Sequence, residues 1–153
     1  MKTAMHHTRH LILVLGDQLD SEAAAFDGFD AMQDAVWMAE AHEESTHVWS
    51  SKQRITLFLS AMRHFAKALC DAGRPLHYHR LDDTDAVADL DSLGAKLQAD
   101  LKALAPKRVV MTAPGDWRVF QQLKAAVEAA GLKLEVCEDR HFFTTVSEFA
   151  AHA

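Results

Sequence analysis

Polar side chains able to hold a ligand follow short apolar runs at three places in the chain. Gly16, Asp17 and Gln18 come directly after LILVL, residues Leu11–Leu15. Glu40, Glu43 and Glu44 lie in EAHEESTHVWSSK, residues 40–52. Thr112, Asp116 and Arg118 lie in TAPGDWR, residues 112–118. A carboxylate accepts strong hydrogen bonds from N–H and O–H groups, because the charge on the acceptor shortens and strengthens the bond. Two carboxylates brought together, such as Asp17 and Glu44, are also the minimum for acid–base hydrolysis if their surroundings separate their pKa values.

Each of these residues has a plain structural use as well. Asp17 suits the cap of a short helix. Gly16 suits a tight turn, or a place where its missing side chain lets a ligand approach. Residues 40–44 suit a solvated acidic loop, Arg118 an ordinary surface charge, and Trp117 either core or a ligand platform. His77 and His79 are two apart on a strand-like run and share a face, whereas His42 and His47 are five apart and do not form HExxH. His6, His7 and His10 sit in a polar N-terminal stretch, where chain ends are mobile. No metal site is expected. The sequence has no GxxxxGK[ST] phosphate loop, no GxGxxG after its first apolar run and no GxSxG elbow. No catalytic residues are therefore assigned.

The elements that must position these groups alternate. LILVL (11–15), AVWMAE (35–40), PLHYHRL (75–81), RVVMTA (108–113) and KLEVCE (133–138) read as strands, the first buried on both faces. Ser50 or Ser51 caps a helix whose apolar stripe is Ile55, Phe58, Leu59, Met62, Phe65, Ala66 and Leu69, with Lys52, Arg63 and Lys67 on the opposite face. Gly73 ends that helix. A second helix spans about 92–104 with Leu93, Leu97, Leu101 and Leu104 inward, stopped by Pro106. A third starts after Asp116 as N-cap, carries Trp117, Phe120, Leu123 and Val127 as its stripe, and closes at Gly131. SEAAAF, in the long first connection, suits one short helix. Strand–helix alternation implies right-handed crossovers and a parallel sheet. The expected fold is a three-layer, doubly wound α/β domain with five strands in order 3-2-1-4-5. Ligands then bind beyond the C-terminal strand ends, at the point where the order reverses, between the first and fourth strands. The tail DRHFFTTVSEFAAHA (139–153) is aromatic, and reads either as a segment packed over the sheet or as a connector to a further domain.

Composition agrees with one domain. The chain has 153 residues, 49% of them hydrophobic, and a formal net charge of −6, so a nucleic-acid partner is not expected for this domain. No run approaches the roughly 20 apolar residues of a membrane span, and the N-terminus has no signal-peptide core. Cys70 and Cys137 form no CxxC, and are read as buried or half-buried thiols of a cytoplasmic protein.

Five blocks occur in order: LILVLGDQL (11–19), EESTHVWSSKQRI (43–55), FLSAMRHFAKAL (58–69), RLDD (80–83) and TAPGDWR (112–118). Together, over about Arg9–Ala150, they resemble the N-terminal domain of the deoxyribodipyrimidine photolyase-related proteins, the bacterial iron–sulfur cryptochromes and (6–4) photolyases. The resemblance implies an α/β antenna domain over residues 1–150 for 6,7-dimethyl-8-ribityllumazine, which passes excitation energy to a flavin. It implies that FAD and a 4Fe-4S cluster belong to a larger helical part beyond residues 139–153. The chain by itself is then expected to be inactive as a photolyase. By the motif match, Asp17 and Glu44 are the leading chromophore acceptors, with Gly16, Gln18, Glu40 and Lys52 secondary. Three positions depart from the family pattern: His47 replaces an expected tyrosine, Trp49 is bulky for its loop, and Phe58 replaces an aliphatic residue and fills part of the ring space. The alternatives are a stand-alone small-ligand or nucleotide-binding domain, a hydrolase-like enzyme using Asp17 and Glu44, and a docking module that meets a flavin domain or a second copy through its aromatic tail.

Overall fold

A computed structural model describes residues 8–42, 50–83, 90 and 92–152. Among the described residues there are five strands: β1 (His10–Leu13), β2 (Ala35–Ala39), β3 (Leu76–His79), β4 (Arg108–Thr112) and β5 (Leu134–Cys137). They form one parallel sheet in the order β3-β2-β1-β4-β5. Four described helices accompany it: α1 (Lys52–Asp71), α2 (Leu93–Leu104), α3 (Trp117–Ala129) and α4 (Val146–His152). The expected doubly wound architecture and strand order are those observed. The short helix expected in SEAAAF is a single 3-10 turn, Ala24–Phe26.

Side-chain alternation along β1 builds two cores. Leu11, Leu13 and Leu15 face α2 and α3, meeting Trp37, Leu97, Leu101, Leu123 and Val127. Ile12 and Val14 face the other way, toward Val36, Met38, Phe26 and the inner face of α1. Each of the larger aliphatic side chains in these layers contributes about 1.5–3 kcal/mol through burial. The helix starts follow local chemistry. Ser51 Oγ accepts from Arg54 N–H, Ser92 Oγ from Ala95 N–H, and Asp116 from the N–H groups of Arg118 and Val119. Each such cap is worth about 1 kcal/mol. Gly73 and Gly131, at φ of 71° and 74°, occupy the left-handed region that ends α1 and α3.

The departures from expectation share a cause: the ends of elements reach past the layers that would cover them. The α1 stripe is buried only at Met62, Ala66 and Leu69, while Phe58 is 43% exposed. The first turns of α1 overhang the C-terminal edge of the sheet. Trp117, at the first position of α3, is exposed and is not core; its ring centroid lies 5.3 Å from that of Phe120. Cys70 is exposed rather than buried. The tail does not pack over the sheet. Phe142, Phe143, Val146 and Phe149 are all exposed, and α4 has no buried residue. What holds the start of the tail is polar: Arg140 pairs with Asp27, and His141 Nε2 lies 3.7 Å from Asp20 Oδ2.

Candidate functional site

The β1–β2 ladder ends at Leu13–Trp37, and only the Val14 N–H, donating to Trp37 O, continues it. Beyond that point the two chains part beneath the overhang of α1. A cavity of about 340 Å³ opens there, within the range of small-molecule sites. Its floor is the end of β1, Val14 to Asp17, together with Trp37 and Ala39 of β2. Its roof is α1, through Ile55, Phe58, Leu59 and Met62, with Ser50 and Arg54 at the helix start. Leu93, Asp116 and Val119 close it from the starts of α2 and α3. The walls are mostly apolar, and a few acceptors and donors interrupt them.

The expected site residues divide. Gly16, Asp17, Glu40 and Phe58 line the cavity. Asp17 is exposed, and it does not cap the 3-10 turn, whose start at Ala23 has no side-chain cap. Gln18 is not in the lining. Its Nε2 donates to Ala113 O at 2.7 Å, tying the loop after β1 to the loop after β4, while its buried Oε1 has no partner among the described residues. Lys52 is exposed at the start of α1, also outside the lining. Glu44, with His47 and Trp49, lies outside the described residues.

Glu40 is engaged within the protein. Its side chain is fully buried. Oε1 accepts from Arg63 Nε at 2.8 Å and from Tyr78 Oη at 2.6 Å. Oε2 accepts from Arg63 Nη2 at 2.8 Å and from Leu81 N–H at 2.9 Å. Burial pushes the Glu40 carboxyl up, but Arg63, the Leu81 N–H and the Tyr78 hydroxyl together hold it below the usual carboxylate range. Tyr78 is pushed up by burial and by the adjacent carboxylate. Arg63 was expected on the solvent face of α1; it turns inward, and its Nη2 also donates to Asp82 Oδ1 at 2.9 Å. With both oxygens engaged, Glu40 anchors α1 to β2 and β3 and has little capacity left for a ligand.

The histidine pair on the edge strand is divided as well. His79 Nε2 lies 2.5 Å from Asp100 Oδ2, and the Trp37 Nε1–H donates to the same oxygen at 2.7 Å. Burial pushes the His77 imidazole below its ordinary value.

Gly16 sits in the expected tight turn, closed by Gln18 N–H donating to Leu15 O at 3.0 Å, but the turn does not require glycine there; contact does. Its φ lies outside the left-handed region adopted by Gly28, Gly73 and Gly131. A Cβ placed on it would stand 2.4 Å from Phe58 Cζ and 2.8 Å from Met62 Sδ. The close approach anticipated for a ligand is made by the Phe58 ring. Sequence reading did not single out Arg54, Ile55, Met62, Trp37, Leu93 or Val119 as lining. The available signal was the α1 stripe, which continues past the point where the sheet can cover it.

A family model described as deoxyribodipyrimidine photo-lyase-related protein matches residues 12–153. A (6-4) photolyase of Agrobacterium fabrum (strain C58) is 36% identical over 139 residues, which cover 91% of this chain and 27% of that protein. The chain thus spans little more than a quarter of the length of that relative.

Proposed function

The chain belongs to the deoxyribodipyrimidine photo-lyase-related family, and from that premise we propose that it is a chromophore-binding α/β module holding a flat heterocycle at the C-terminal edge of its sheet. The observation that carries this reading is the cavity between the end of β1 and the overhang of α1, apolar in its walls and fringed by Asp17, Ser50 and Arg54. Such a lining suits a ring with an apolar body and a polar edge. Asp17 supplies a charged acceptor for an imide N–H or a sugar-alcohol O–H, and Arg54 a donor for a ring carbonyl. The proposed ligand is 6,7-dimethyl-8-ribityllumazine. When bound, it supplies light absorption and transfer of excitation energy; the protein supplies a fixed orientation and exclusion of water. An antenna needs no acid, base or nucleophile, which agrees with a Glu40 carboxylate already held by four donor groups. Light-driven lyase chemistry, FAD and an iron–sulfur cluster are proposed for the larger proteins of this family, not for the pocket itself.

Titration with 6,7-dimethyl-8-ribityllumazine tests the reading. Binding is expected to raise the fluorescence anisotropy of the lumazine and shift its absorption band. A spectrum and anisotropy identical to those of free lumazine at micromolar protein would overturn it.

A further inference from the structure

We propose that Phe58 is the specificity-determining wall of the pocket, limiting its occupant to two fused rings and excluding three. This rests on the reading of the cavity as a ring-binding site, and it goes beyond that reading by naming which ring system enters. The phenyl group of Phe58 stands directly over Gly16, with Cζ and Cε1 at 2.4 and 2.6 Å from where a Cβ would be. Met62 Sδ, at 2.8 Å from the same point, fills the space beside it. Met62 is buried, whereas Phe58 is 43% exposed. The ring is therefore held in the wall by its fit onto a bare backbone, since no core surrounds it. Gly16 has no conformational need to be glycine, so the absence of a side chain there serves the placing of this ring.

The consequence for a ligand is one of size. A pteridine and an isoalloxazine differ by one fused benzene ring, which has the dimensions of the phenyl group on Gly16. The cavity, at about 340 Å³, lies near the lower end of small-molecule sites. In a space that small, one ring's volume decides what fits. Apolar residues of α1, among them Ile55, Leu59 and Met62, line the same region, so the hydrocarbon end of a flavin would have to compete with Phe58 for it. Truncating Phe58 vacates a phenyl-sized volume, which a third ring can fill.

Two probes isolate the effect, because 6,7-dimethyl-8-ribityllumazine and riboflavin carry the same ribityl chain and differ in the ring system. The wild-type protein is expected to bind the lumazine more tightly than riboflavin by about tenfold or more. Phe58→Ala is expected to bring the ratio of the two dissociation constants to unity or below, with Phe58→Leu between. The ratio is read within each variant, so a general loss of stability cancels. Far-UV circular dichroism confirms that each variant is folded. A ratio in Phe58→Ala equal to that of wild type, with the lumazine still bound, overturns this inference and leaves the ring-binding reading standing. Failure of both probes to bind both proteins overturns the two together.

Discussion

Asp17 and Glu40 follow neighbouring strands and line the same cavity, yet their circumstances are opposite. Glu40 is fully buried and accepts from one guanidinium, one phenol and one backbone N–H. Asp17 is exposed, on a loop that lends its neighbours Gly16 and Gln18 to packing and to the Ala113 carbonyl. A carboxylate at a strand end is therefore not by itself a binding group. What distinguishes the two is the supply of donors. Around Glu40, α1 and β3 bring a set large enough to offset desolvation. Asp17 lines the pocket and is exposed, so water supplies its donors and a ligand's N–H or O–H groups can take their place. The same comparison separates the two ends of α1. Its middle is fixed by Arg63, and its first turns project over the cavity.

The comparison is broken most severely at Arg63. Arg63→Ala leaves the Glu40 carboxylate buried with only Tyr78 and the Leu81 N–H, and should lower stability by roughly 3 kcal/mol. That is the low end for a buried pair, because the guanidinium is 36% exposed. Urea unfolding at pH 7 measures it. Glu40→Gln keeps the shape but loses charge, and should cost about 1–2 kcal/mol. It should also flatten the acid limb of stability. The folded Glu40 carboxyl lies below its ordinary value of 4.5, so its contribution is complete above that pH and is lost as pH falls through the folded value. Asp34, likewise held low against its burial by Arg9 and by backbone N–H groups, should preserve the rest of that limb in the variant. Unfolding midpoints taken between pH 3 and 7 check both. Tyr78→Phe removes a single hydrogen bond and should cost about 1 kcal/mol, read in the same assay. Asp17→Asn sharpens the contrast from the other side. It should leave the unfolding midpoint where it was and weaken lumazine binding by about tenfold. A large loss of stability with unchanged affinity would make Asp17 a second Glu40.

Much of this architecture was legible in the residues. The five apolar runs, the serine and aspartate caps and the terminal glycines each state a local preference, and the crossover rule turns their order into a topology. The observed strands are shorter than the runs, because β-pairing stops where neighbouring strands diverge; Val14 and Leu15 remain buried without a full ladder. The site was legible in part. Gly16 and Asp17 reach the cavity because they follow the central strand, and Phe58 because the first turns of α1 cover it; the floor is formed where β1 and β2 part, and not between β1 and β4, where strand order alone places the switch point. Arg63 was not legible as an inward group, because a cation on an amphipathic helix reads as solvated until a buried carboxylate is known to face it. Gln18 and Glu40 looked available because the partners that occupy them come from Ala113, Tyr78 and Arg63, distant in sequence. Trp117 failed in the reverse sense: a large apolar residue at helical spacing is exposed because the helix begins there, past the layer that would bury it.

The fit of a ring onto a bare glycine also orders the routes by which this protein can change. With Phe58 in place, any side chain at position 16 must first push the phenyl group aside. Once position 58 is small, an alanine at 16 no longer meets the phenyl group and has the flexible Met62 Sδ, 2.8 Å from its Cβ, to displace, so the cost of acquiring it falls. The two positions behave as one locus whose effects do not add. A lineage, or a designer, seeking a differently shaped pocket has an accessible order of steps: position 58 changes before position 16.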